Sequence, residues 1–121
     1  LERLGVPSRL ASLAAFDGCY QGYVTELAGQ WLAAQHRDTR ERAALYACGP
    51  QPMLQAAAKL ARDFSLPAQL CLEEYMACGV DGCAGCAVEV ASGAGTAMRR
   101  VCVDGPVFEA RAVYPALFAA G

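Results

Sequence analysis

Residues 43–74 read AALYACGPQPMLQAAAKLARDFSLPAQLCLEE, and the change of pattern within them decides the fold class. AALYACG (43–49) is a short apolar run ended by glycine, which suits a strand buried on both faces. Pro50 and Pro52 stand where a helix would open, a place where a missing N–H costs little. Met53, Leu54, Ala57, Ala58, Ala61 and Phe64 then recur at helical spacing, and SLP (65–67) stops the pattern. AQLCLEE (68–74) returns to strand character. Strand, helix and strand in this order imply parallel strands with a helix packed over them.

Upstream, PSRLASLAAF (7–16) is mildly extended and runs into DGCYQG, a turn signal at Asp17-Gly18 with a second glycine at 22. YVTELAGQWLAAQ (23–35) puts Val24, Leu27, Ala28, Trp31 and Leu32 on one helical face. HRDTRER (36–42) reads as a charged connector. The order βαβαβ predicts a partial, doubly wound parallel sheet, thin by about half a domain. The chain opens on LERLGVPSRL, without a methionine, and reads as a piece of a longer protein.

Downstream, the character changes at Tyr75. Glycines and cysteines run to 86, then AVEVA (87–91), a turn at SGAG (92–95) and MRRVCVDG (98–105) predict a hairpin with Cys102 on its second strand. This divides the chain into an α/β part, residues 1–74, and a small cysteine-rich β-hairpin lobe, residues 75–121.

Composition excludes several function classes. The 121 residues suffice for one ordinary domain or two small lobes, and 55% are hydrophobic. A net charge of −2 without a basic stripe argues against nucleic acid. No apolar run approaches a membrane span, and no signal peptide is visible, so a cytoplasmic protein without a membrane partner is expected. Seven cysteines cannot all pair within one chain, and alanine-rich helices are uncommon in secreted disulfide scaffolds, so a reducing compartment fits.

Cys78, Cys83 and Cys86 are spaced C-x4-C-x2-C, with Cys102 a further 15 residues on. This is the plant-type [2Fe–2S] pattern. Zinc ribbons usually present two C-x2-C knuckles, and only Cys83 and Cys86 form one. Gly79, Gly82 and Gly85 would let the loop wrap closely and aim N–H groups at sulfur. A zinc site and four unligated buried thiols remain the alternatives. At the other end of the fold, Cys48, Gly49 and Pro50 lie where an open parallel sheet presents its ligand edge. His36 reads as solvated, Trp31 as core, and Cys19 and Cys71 as spare thiols. Glu73 and Glu74 suit capping or ion pairing rather than catalysis.

LEEYMACGVDGCAGCAVEV followed by RRVCVDGPVFEA resembles the iron–sulfur segment of the electron transfer subunits of type B dihydroorotate dehydrogenase. LYACGPQPML and DGCYQGYVTEL are similar to the NAD half of the ferredoxin-reductase-like superfamily that contains those subunits. The resemblance runs from Asp17 onward, and the cysteine block is its most specific part. Tyr75 departs from it where a basic residue is common, as does Asp81 where glycine is frequent. The resemblance implies that Cys78, Cys83, Cys86 and Cys102 hold a [2Fe–2S] cluster. It also implies that Asp17, Gly18, Gly22 and Thr25, with Cys48, Gly49 and Pro50, approach a dinucleotide. FAD and NAD(H) would serve the full-length protein, whose FAD barrel and first βαβ unit are not in this chain. The implied function is electron relay to a flavin-containing dihydroorotate dehydrogenase partner in pyrimidine biosynthesis, within a hetero-oligomer. This chain alone would not be catalytically competent. A reductase subunit of a hydrogenase or ferredoxin:NADP oxidoreductase and, from another class, a structural zinc module for assembly are the competing expectations.

Overall fold

The computed structural model describes residues 1–93 and 95–119. Two compact units emerge, Leu1–Arg37 and Asp38–Gly121.

The first unit opens with a helical turn, Glu2–Leu4, and contains two short strands, β1 (Ala11–Ser12) and β2 (Tyr20–Gln21). They pair in parallel with Ala11 opposite Tyr20. The extended stretch read over 7–16 therefore shrinks to two strand residues. Pro7 and the alanine- and serine-rich remainder lack the β-branched side chains that hold a longer strand. Phe16–Cys19 is a turn closed by the Cys19 N–H on the Phe16 carbonyl at 3.1 Å, with Gly18 at φ +80°. That is the position where a type II turn needs glycine. Helix α1 (Val24–Ala34) follows. The Glu26 carboxylate accepts the Tyr23 N–H at 2.8 Å, closing the helix start. Its apolar face is only partly covered. Leu32 is buried, but Trp31 is 42% exposed and not core. With Pro7 and Arg9, this face lines an open groove of about 300 Å³.

The charged connector forms a short helix, α2 (Arg37–Glu41). In the second unit, β3 (Leu45–Cys48), α3 (Gln51–Asp63) and β4 (Ala68–Cys71) realise the strand–helix–strand reading, but β3 is an edge strand with Tyr46 and Cys48 exposed rather than buried on both faces. β3 and β4 are parallel, with Cys48 opposite Cys71. Pro50 caps α3 and Pro52 lies in its first turn. The far end is a Schellman motif. Leu66 N–H reaches the Ala61 carbonyl at 2.8 Å, Ser65 N–H reaches that of Arg62 at 3.0 Å, and Ser65 takes the left-handed position at φ +54°. Leu54, Ala57, Ala58 and Ala61 from α3 bury against Leu70 and its neighbours. Leu54 and Leu70 each contribute about 1.5–3 kcal/mol by leaving water.

Strands β5 (Ala87–Ser92) and β6 (Gly95–Arg100) form the expected antiparallel hairpin. It ends one residue before a helical turn, α4 (Val101–Asp104), and this turn, not the strand, carries Cys102. The Asp104 carboxylate accepts the Arg100 N–H at 2.8 Å, which rewards a turn there over another strand residue. The chain then returns. β7 (Val107–Glu109) lies antiparallel on β4, making a three-stranded sheet of order β3-β4-β7. Two short helices, α5 (Ala110–Val113) and α6 (Pro115–Phe118), follow. No helix among the described residues is long and apolar enough to cross a membrane.

Candidate metal centre

After β4 the backbone leaves regular structure until β5 begins. Gly79 (φ +65°), Asp81 (φ +63°) and Ala84 (φ +55°) all take the left-handed conformation, curling the loop back on itself. For Asp81 and Ala84 that curl costs about 1–2 kcal/mol each. Such strain is typical of ligand loops.

The curl brings Cys78, Cys83, Cys86 and Cys102 around one small enclosed cavity, joined by Asp81 and Ala77. Cys86 is buried, Cys78 and Cys102 are half-buried and Cys83 is exposed. The thiols fall into two pairs. Cys86 and Cys102 lie 3.1 Å apart between sulfurs, and the Val101 N–H donates to the Cys86 carbonyl at 3.1 Å. Cys78 contacts the Cys83 thiol. Among the described residues, no three His, Cys, Asp or Glu side chains converge as tightly as a formed metal shell. The four thiols instead line a shared wall as pairs.

The loop is built to carry negative charge on sulfur. The N–H of Val80 leads the groups that lower the Cys78 thiol to about 7, followed by the Cys83 thiol and the N–H groups of Cys83 and Gly82. Cys86 is lowered chiefly by the Cys102 N–H. Cys102 moves the other way, up to about 11, through its contact with the Cys86 thiol, then burial, with the Asp81 carboxylate adding to it. Gly85 N–H donates to the Cys83 sulfur at 3.3 Å, and a Cβ on Gly85 would stand equally close to it. Four thiols, N–H donors aimed at them and a closed wall fit an iron–sulfur cluster in donor chemistry.

The expected nucleotide residues fall in both units. Asp17 and Gly18 occupy the exposed turn before β2, and Thr25 lies in the first turn of α1. Gly22 is tightly enclosed, since a Cβ there would meet the Tyr20 ring and the Glu26 carboxylate at 2.6 Å. Cys48, Gly49 and Pro50 join β3 to α3. The Cys48 sulfur stands 3.8 Å from the Glu73 carboxylate. Its thiol is raised, first by Cys71 and then by burial, which disfavours a nucleophilic thiolate.

An open cleft of about 420 Å³ runs from Cys48, Cys71 and Glu73 to Cys102 and Pro106. The carboxyl ends of β3 and β4 and one candidate cluster ligand thus share a single wall. Spacing could identify the four cysteines, but not Arg100, whose guanidinium donates to the Asp81 carbonyl at 2.7 Å. A contact spanning 19 residues leaves no local pattern.

Residues 73–114 match the sequence profile of the iron–sulfur cluster binding domain of dihydroorotate dehydrogenase B. The electron transfer subunit of dihydroorotate dehydrogenase B (NAD(+)) from Geobacillus thermodenitrificans is 41% identical over 105 residues, covering 83% of this chain and 39% of that protein. Its counterpart from Caldanaerobacter subterraneus subsp. tengcongensis is 46% identical over 69 residues, covering 57% of this chain and 28% of that protein. The chain thus spans well under half the length of these relatives. Among solved structures, an NADH-dependent reduced ferredoxin–NADP oxidoreductase studied for flavin-based electron bifurcation superposes with a TM-score of 0.67 at 25% identity, covering 92% of this chain and 37% of that one. With its four cysteines on one cavity wall, the stretch 73–114 is similar to the iron–sulfur cluster binding domain of dihydroorotate dehydrogenase B, within a chain similar to part of the electron transfer subunits of that enzyme.

Proposed function

We propose that this chain is the cluster-bearing part of an electron transfer subunit, with a [2Fe–2S] cluster held by Cys78, Cys83, Cys86 and Cys102. The full protein passes electrons between NAD(H), FAD and that cluster, and on to the flavin of a dihydroorotate-oxidising partner in pyrimidine biosynthesis. The observation that carries this reading is the cleft joining Cys48 at the sheet edge to Cys102 at the cluster wall. A nucleotide or flavin at the edge and a centre behind Cys102 would be separated by one open space.

When bound, the cluster takes up and gives back single electrons. The residues of this chain do the rest. Cys78 with Cys83, and Cys86 with Cys102, would hold the cluster through their sulfurs. The loop N–H groups compensate charge on sulfur. At the sheet edge, Gly49 and Pro50 shape the lip, and Cys48 packs against Glu73 as a neutral thiol. Asp17, Gly18, Gly22 and Thr25 serve the dinucleotide from the first unit.

In this reading residues 1–74 are the nucleotide side, the second half of a ferredoxin-reductase-like NAD domain, and residues 75–121 are the cluster side. Tyr75, Met76 and Val80 are exposed around the loop, which supports a protein partner there and a hetero-oligomer. The odd number of cysteines, which cannot all pair within one chain, supports a reducing, cytoplasmic setting. Anaerobic reconstitution is the test. About two irons and two sulfides per chain are expected. One zinc with no labile sulfide would replace this reading with a structural zinc module.

A further inference from the structure

The two thiol pairs are carried by different stretches of chain. Cys78 and Cys83 lie on the curled loop, whereas Cys86 and Cys102 are tied together by their sulfurs and by the Val101 N–H on the Cys86 carbonyl. Arg100 bridges the two. Its backbone N–H is fixed by the Asp104 carboxylate at 2.8 Å, at the start of the helical turn that carries Cys102. Its guanidinium reaches back to the carbonyl of Asp81, midway between Cys78 and Cys83, at 2.7 Å. Asp81 is held in the left-handed conformation at that point, and its carboxylate faces Cys102. The neighbouring Arg99 points elsewhere, to Asp104 at 3.6 Å in a largely exposed pair of little consequence.

We infer that Arg100 is a positioning residue for the cluster, clamping the loop that bears Cys78 and Cys83 onto the turn that bears Cys102 while placing a positive charge beside them. The inference rests on the four thiols being cluster ligands. It goes beyond that reading by giving a non-ligand residue two separable effects. The clamp holds the ligand pairs at a fixed separation, which slows cluster loss. The guanidinium offsets the Asp81 carboxylate and favours the more negative, reduced cluster, which raises the reduction potential.

The experiment compares the reconstituted wild-type chain with Arg100→Gln and Arg100→Lys. Dye-mediated redox titration followed by EPR gives the potential, and bleaching of visible absorption by an iron chelator gives the rate of loss. Arg100→Gln is expected to titrate at a more negative potential and to lose iron about tenfold faster, the factor carried by one lost charge-assisted hydrogen bond. Arg100→Lys, which keeps a charge and a donor, is expected to restore the potential and recover most of the lifetime. Wild-type potential and lifetime in Arg100→Gln would overturn the inference, as would equal potential shifts in both variants. Should Arg100→Gln take up no cluster while its metal-free chain keeps wild-type circular dichroism, Arg100→Lys decides. Recovery of the cluster there supports the clamp and continued absence overturns it. A wild-type chain that takes up no [2Fe–2S] cluster strikes the proposed function first, and this inference with it.

Discussion

Cys83 is the most exposed of the four thiols on the cavity wall, yet it receives the Gly85 N–H and touches Cys78. Replacing Cys83 with serine is therefore expected to abolish or severely weaken the visible absorption of the reconstituted chain. Cys19→Ser and Cys71→Ser, which change thiols away from that wall, should leave it intact, and equal loss from all three would show the ligand set to be wrong. In the metal-free chain the thiols should separate by pH. A depressed value means that the thiolate already exists near neutrality, so Cys78 should alkylate with a midpoint near pH 7. Cys102, raised to about 11, should resist until strongly alkaline conditions. Peptide mass spectrometry after timed iodoacetamide treatment reads both. Asp81→Gly removes a side chain from a left-handed position and a carboxylate from beside Cys102. It keeps the carbonyl that Arg100 uses. A gain of up to about 1 kcal/mol in denaturant unfolding is expected. The cluster potential should become more positive.

Among the elements, α3 and its flanking strands were legible because each signal is local. A 3.6-residue stripe, prolines in the first turn and short apolar runs on either side need no knowledge of distant chain. The hairpin of β5 and β6 was legible for the same reason, through its turn. Cys102 was misplaced on a strand because a four-residue helical turn stabilised by the Asp104 carboxylate has no periodicity to read. β7 was missed because three residues after Gly-Pro become a strand only through pairing with β4. Trp31 was read as core from its helical face, but a face shows which side is apolar and not what covers it. The end of α3 gives a direct test of element stability. Ser65 occupies the left-handed Schellman position that glycine fills without strain, so Ser65→Gly should stabilise the chain by about 0.5–1 kcal/mol. At the buried centre of the same helix, Leu54→Ala should cost about 2–5 kcal/mol. Urea unfolding monitored by circular dichroism measures the two together.

For the whole molecule, both helix N-termini that could cradle a pyrophosphate are poorly equipped to do so. The Tyr23 N–H at the start of α1 is already taken by the Glu26 carboxylate, and α3 opens with Pro50 and Pro52, which have no N–H to offer. The sheets among the described residues have two or three strands, and none closes into a barrel for an isoalloxazine ring. Binding must also offset several kcal/mol of lost translational and rotational freedom. The isolated chain is therefore expected to bind neither FAD nor NADH below the micromolar range and to show no NADH-dependent reduction, with calorimetric titration as the check. The antiparallel pairing of β4 with β7 has a different consequence. Cys71 and Val107 are direct register partners, so everything between them departs from and returns to almost the same point. Residues 72–106 are thus an insertion between two neighbouring strands, one that also sends Leu72, Val90 and Val101 into the core. A two-residue Asn-Gly linker could join β4 to β7 as an ordinary hairpin. The shortened chain keeps the nucleotide edge and loses the redox centre, so the two can be studied apart once the apolar surface uncovered by removing Leu72, Val90 and Val101 is made polar.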